Sequence, residues 1–150
     1  MITHIWIDAD SCPRQVRNHT VKTADKYKIP ITFVANKEID CDEKLPFEMI
    51  ITDDKKDSAD NYIFENAAAT DLVITRDIVF ADRLVQKEIL CINDRGTQFT
   101  KEIIKERLSE RDFNLQLVEM GLSKPYHEGY DKKKFEKFAN CLNRLIIRNL

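Results

Sequence analysis

Ile5-Trp6-Ile7-Asp8-Ala9-Asp10-Ser11-Cys12-Pro13 carries the plan of the chain. A short apolar run ends in two carboxylates and is followed at once by a helix start. Pro suits the first helical position, where its missing N–H would go unpaired anyway, and Asp10, Ser11 or Cys12 then stands at or just before the cap. The two aspartates admit two readings, a helix cap or the rim of a metal-dependent, phosphate-handling site. The rest of the chain weighs between them.

Working outward, short apolar runs alternate with longer polar-apolar stretches, the pattern of βαβ units and a mostly parallel sheet. Residues 2–7, 31–35, 48–52, 72–75 and 89–92 are each too short for a helix and rich in β-branched side chains, so about five strands are predicted. A helix over about 13–28 ends at Ile29-Pro30, because the residue before Pro is pushed out of the α region. Residues 36–47 are charged, contain Pro46 and lack a period, which reads as a surface loop. Residues 57–69 read as a helix, with Ala59, Tyr62, Ile63, Asn66 and Ala67 on one stripe.

Asp57 and Asp60 are three apart and share a face of that helix's first turn. They fit a capping arrangement at the positive end of a helix as well as a site. The run Asp71-Leu72-Val73-Ile74-Thr75-Arg76-Asp77 repeats the opening plan, a strand ending in a hydroxyl and a carboxylate before a helix from about Ile78. Several acidic ends are what a shared site requires, because ligands of open α/β sheets bind outside the carboxyl ends of the strands.

Further on, Asn93-Asp94-Arg95-Gly96 is a turn by composition, in which Gly takes a positive φ and Arg95 either reaches a phosphate or pairs at the surface. Thr100 to Arg107 reads as a helix start, with Thr100 as cap and Ile103, Ile104 and Leu108 as stripe, a helical turn over 114–121 ends at Gly121, and 123–130 forms a Pro/Tyr/His/Gly loop. The last helix is the clearest, with Phe135, Phe138, Ala139, Leu142, Leu145 and Ile146 on one stripe. Its polar face carries Lys132, Lys133, Lys134, Lys137, Arg144 and Arg148. These charges are a solvated face or, with Lys133, Lys134 and Lys137 foremost, a contact for a polyanion.

The 150 residues predict a single domain over 1–150, large enough to bury about 68–70% of its unfolded surface. A net charge of -2 gives no global attraction to nucleic acid, but residues 38–60 carry nine acids against three lysines. Four widely spaced cysteines (Cys12, Cys41, Cys91, Cys141), no signal-like segment and no run approaching the roughly 20 apolar residues of a membrane span fit a cytoplasmic protein. The histidines (His4, His19, His127) show no zinc spacing.

Asp8-Ala9-Asp10-Ser11-Cys12-Pro13, Phe33-Val34-Ala35-Asn36, Asp57-Ser58-Ala59-Asp60-Asn61-Tyr62-Ile63, Asp71 to Ile78, Arg95-Gly96 and Asp131 to Phe135 together resemble the YaiI/YqxD family of uncharacterised bacterial proteins. Ser11, Arg14, Arg76 and Lys124 depart from that pattern. The family is similar in turn to PIN-like nuclease domains. This resemblance implies a three-layer α/β fold with strand order 3-2-1-4-5 and C-terminal helices, with Asp8 and Thr75 side by side at the switch point. It implies also that Asp8, Asp10, Asp57, Asp60 and Asp77 bind Mg²⁺ or Mn²⁺. A nuclease on RNA or another nucleic acid would then use Asp8, Asp57, Asp60 and Asp77 as its catalytic set, while Ser11, Asn36, Thr75 and Arg95 position water or phosphate. Two other functions fit the residues, a non-catalytic RNA- or protein-binding module and a haloacid-dehalogenase-like phosphatase with Asp8 as nucleophile.

Overall fold

The computed structural model describes residues 1–39, 44–124 and 129–150. Cys41, in the charged loop, and Pro125 and His127, in the loop before the last helix, lie outside the described residues.

Five strands form one parallel sheet, β1 (Ile5–Asp8), β2 (Ile31–Ala35), β3 (Glu48–Ile51), β4 (Leu72–Ile74) and β5 (Leu90–Ile92), in the order β3-β2-β1-β4-β5. Each falls in a stretch expected to be a strand. Asp8 is a correction, because it lies within the ladder, opposite Val34, instead of beyond its end. Residues 2–4 stay outside the ladder, where the Thr3 N–H donates to the Thr70 carbonyl.

The helices are α1 (Arg14–Lys26), α2 (Ser58–Asn66), α3 (Ile78–Gln86), α4 (Lys101–Glu119) and α5 (Lys132–Arg148). Successive strand side chains point to opposite faces, so parity assigns each residue to a layer. Ile5, Ile7, Phe33, Leu72 and Ile74 pack with Val16, Val21, Phe138, Leu142 and Ile146, which puts α1 and α5 on one face. Trp6, Val34, Val73 and Cys91 pack with Ile63, Phe80, Leu84 and Ile104, which puts α2, α3 and α4 on the other. Both faces of the sheet are covered, which is why its central strands read as unbroken apolar runs. Parity also aims the last residues of β1 and the β4 run, Asp8 and Thr75, toward the α2–α4 layer.

Three details of the helix ends differ from expectation. Pro13 caps α1 from outside it, with no side-chain cap, because a single 3₁₀ turn (Ala9–Ser11) intervenes and the Asp10 carboxylate accepts the Asn36 N–H at the end of β2 at 2.9 Å. Asp57 precedes α2 with a left-handed backbone (φ 65°) and makes no capping hydrogen bond, so Asp57 and Asp60 do not form a capping box. The two helical pieces expected over 100–121 are one helix, since neither Gly nor Pro interrupts residues 100–120. Gly121 (φ 73°) closes it, with its N–H on the Val118 carbonyl and the Leu122 N–H on the Leu117 carbonyl.

α5 is anchored to the carboxyl edge of the sheet beside β5. The Tyr130 hydroxyl donates to the Asp94 carbonyl, and Gly96 (φ 83°) lies against the Lys137 backbone so closely that a Cβ there would sit 2.5 Å from the Lys137 oxygen. Gly96→Ala is expected to lose about 3 kcal/mol, combining an unfavourable positive φ with this overlap, which thermal melting would register as a drop of about 5–10 °C.

Candidate metal centre

The acids converge where α2 and α3 begin above the ends of β1 and β4. Asp57, Asp60 and Asp77 each present a carboxylate oxygen within 4.8 Å of the others. Asp77 serves two purposes, because one of its oxygens caps α3 by accepting the Val79 and Phe80 N–H groups. The cap and site readings of Asp77 are thus compatible. Asp60 is buried, at 8% exposure, and among the described residues no N–H or O–H group other than a neighbouring carboxyl donates to it.

Asp8 stands directly behind this triad. It is 5% exposed, and its Oδ2 accepts the Thr75 hydroxyl at 2.8 Å. Thr75 Oγ1 in turn accepts the Asp77 N–H at 3.1 Å. One buried hydroxyl therefore fixes both the β1 carboxylate and the start of α3.

Burial pushes the Asp60 carboxyl up to about 7, reinforced by the charges of Asp8, Asp77 and Asp57. Burial likewise raises Asp8, against the opposing hydrogen bond from Thr75. Buried carboxylates with carboxylate neighbours are costly unless a proton or a cation joins them.

Two hollows flank the acids and share Lys56, Asp57 and Asp60. The first, of 190 Å³, is completed by Asp77, Val79, Phe80, Arg83 and Arg111. The second, of 250 Å³, is completed by Asp8, Asp10, Asn36, Lys55, Ser58 and Ala59. Asp10 and Asn36 thus reach the site's margin, where Asp10 holds the Asn36 backbone and is not in the triad.

Several residues expected at the site are placed elsewhere. Ser11 donates to the Asp8 carbonyl and accepts the Arg76 N–H, so it braces the 3₁₀ turn. Thr75 is fully buried and faces Asp8, not solvent. Arg95 is half-buried in a turn held by Asn93, whose side chain accepts the Arg95 and Thr97 N–H groups. Lys133, Lys134 and Lys137 lie at the start of α5, beside β5, and Lys134 Nζ donates to the Gly129 carbonyl. Neither hollow is lined by any of these six residues.

Lys56, Arg83 and Arg111 were not legible as site residues. Each is a charge on a polar helix face or loop, and only the packing of α3 against α4 brings Arg83 and Arg111 to the acids. Arg76 pairs with the fully buried Asp94, an interaction that ties the β4 and β5 ends together.

The molecule is thus an α/β protein with a partly buried acidic cluster at the switch point of a parallel sheet. It belongs to the YaiI/YqxD family, described as uncharacterized, whose family model matches residues 6–148. It is 42% identical to a UPF0178 protein of Treponema denticola over 146 residues, 97% of this chain and 93% of that one. It is 38% identical to a UPF0178 protein of Geobacter metallireducens over 144 residues, 96% of this chain and 93% of the relative. No solved structure matches significantly. Among the described residues, no helix is long and apolar enough to cross a membrane.

The raised Asp60 carboxyl sets a pH dependence. In the folded state it holds a proton up to about 7, whereas unfolded it releases it near 4. Its contribution to stability is present in full below that unfolded value and is lost as pH rises through about 7. In chelator at pH 8, Asp60→Asn is expected to melt about 2–4 °C above the wild type, a gap that narrows as pH falls through about 7 and closes below about 4.

Proposed function

We propose that the protein is a divalent-cation-dependent, PIN-like nuclease that hydrolyses phosphodiester bonds, with RNA the favoured substrate. The observation that carries this reading is Asp60, a buried carboxylate surrounded by carboxylates and opening into a hollow edged with Lys56, Arg83 and Arg111. An all-oxygen donor set of this kind suits a hard cation such as Mg²⁺ or Mn²⁺. Two carboxylates 4 Å apart repel by about 4 kcal/mol at an effective dielectric of 20, so a bound cation removes a standing cost.

Asp57, Asp60 and Asp77 would hold the cation, and Asp8, fixed by Thr75, adds negative charge behind them. When bound, the cation supplies Lewis acidity for attack of water on phosphorus. The chain's own part is to hold and orient. Asp77 is locked by its cap on α3, Lys56, Arg83 and Arg111 offer N–H donors for phosphate oxygens, and Asn36 stands at the far margin to hold a water or a phosphate oxygen. A nucleophilic role for Asp8, as in a dehalogenase-like phosphatase, is disfavoured because its carboxylate is buried and bonded to Thr75. Buried free thiols at Cys12, Cys91 and Cys141 support a cytoplasmic setting for this activity.

Mn²⁺ at about 100 times its dissociation constant is expected to raise the wild-type melting midpoint by roughly 5–10 °C, and Asp60→Asn to remove both that rise and cleavage of a labelled RNA. A wild type indifferent to Mn²⁺ and Mg²⁺, or RNA cleavage that survives Asp57→Asn and Asp60→Asn, would sink the proposal.

A further inference from the structure

α4 runs on past the elements that support it. Ile104, Leu108, Arg111, Leu115, Val118 and Leu122 recur at alternating steps of four and three, the spacing of a seam that packs along a second helix. In the body of the molecule this seam lies on the α3 layer through Ile104 and Leu108. Beyond Leu108, among the described residues, no apolar side chain of α4 belongs to either core. Every residue from Ser109 to Gln116 is exposed, and Leu115 and Leu122 are 48% and 69% exposed.

Charge falls away along the helix as well. Residues 101–112 carry eight charges in twelve positions, and 113–122 carry Glu119 alone. A helix surface left to solvent is normally polar. Helices that lie on membranes set Lys and Arg opposite an apolar face. Opposite the Leu115 seam this tip has Phe113, Leu117 and Met120, and its one charge is acidic, so an anionic lipid surface does not suit it.

We infer that the projecting half of α4 pairs with the same segment of a second copy of this chain, the two helices running antiparallel about a two-fold axis between Leu115 and Val118. The seam is then its own complement, as a two-fold interface requires. Leu115 of each copy packs on Val118 of the other. Arg111, the one polar residue of the seam, comes to the other copy's helix end, where Glu119 and the free carbonyls of the last turn are negative. A lone polar residue in such a seam fixes register and orientation. The Arg111 side chain is 51% exposed and lies 3.9 Å from Asp112, so it stands between that acid and Glu119 of the second copy. A guanidinium has five N–H donors, which leaves others for the hollow that Arg111 lines. The pairing does not rest on the nuclease reading.

The test is sedimentation velocity of the full chain, in chelator, across about 1 µM to 1 mM protein. The wild type is expected to reach twice its 17.6 kDa mass as concentration rises. Leu115→Glu and Val118→Glu should each raise the dimer dissociation constant about 100-fold or more, and Arg111→Glu about 10-fold, because every change enters a two-fold pair twice. Phe113→Glu, on the opposite side of the helix, should change it less than about 3-fold. Circular dichroism and thermal melting check that each variant is folded, and the wild-type titration decides by itself if one is not. A wild type that stays at 17.6 kDa throughout overturns the inference, and if that monomer binds anionic vesicles less well after Leu115→Glu, the tip is a membrane contact instead. A dimer that survives Leu115→Glu, or that Phe113→Glu weakens as much, also overturns it, since another face then makes the contact.

Discussion

The rim of this protein depends on one buried hydroxyl. Thr75 Oγ1 donates to Asp8 on the central strand and accepts from the backbone of Asp77 at the start of α3. A hydroxyl has both capacities, and Thr75 uses each on a different element. The β1–β4 pairing sets the two strand ends side by side, and parity turns Asp8 and Thr75 to the same face. Once that face is covered by α2 and α3, the first turns of the two helices bring Asp57, Asp60 and Asp77 together.

Such an arrangement runs against the usual economy of a folded domain. Stability of about 5–15 kcal/mol leaves little room for crowded like charges. Here the strain is limited by letting Asp60 keep its proton to about 7 and by satisfying Asp77 with the N–H groups of α3. Buried apolar side chains on both faces carry the remainder, at about 1.5–3 kcal/mol for each large residue such as Phe33, Phe80 or Leu142. Local rule-breaking supported by a well-made core is the signature expected of a functional site.

What was legible in the sequence follows the range of the physics involved. Four of the five strands were readable because each is an apolar run buried between the helical layers, a purely local signal, while the half-exposed β3 was readable from its Met49-Ile50-Ile51 run alone. Asp8, Thr75 and Asp77 were readable as strand ends. The strand order came from the family resemblance, not from periodicity. The positive φ at Asp57 gave no sign in the residue types around it, so a capping box looked natural there. Charge on a helix face does not tell which edge of the sheet it meets. The lysines of α5 therefore read as a solvated face or a polyanion contact alike, and nothing in the sequence set Arg83 and Arg111, brought to the acids by the α3–α4 contact, apart from other surface charges.

The strand order also has a consequence for synthesis of the chain. β1 is the middle strand, yet only one of its neighbours, β2, follows soon after it, and the other, β4, begins at Leu72. At about 5–20 residues per second, the ribosome takes roughly 2–8 s to add the 40 or so residues that separate them. During that interval the central strand of the protein presents an open hydrogen-bonding edge, the kind of template on which strands of other chains can add. α1, which lies between β1 and β2 in the chain, is made in time to shield one face of that edge, but only completion of β4 closes it. The geometry that brings Asp8 to Thr75 is thus also what makes the nascent chain wait longest for its central partner.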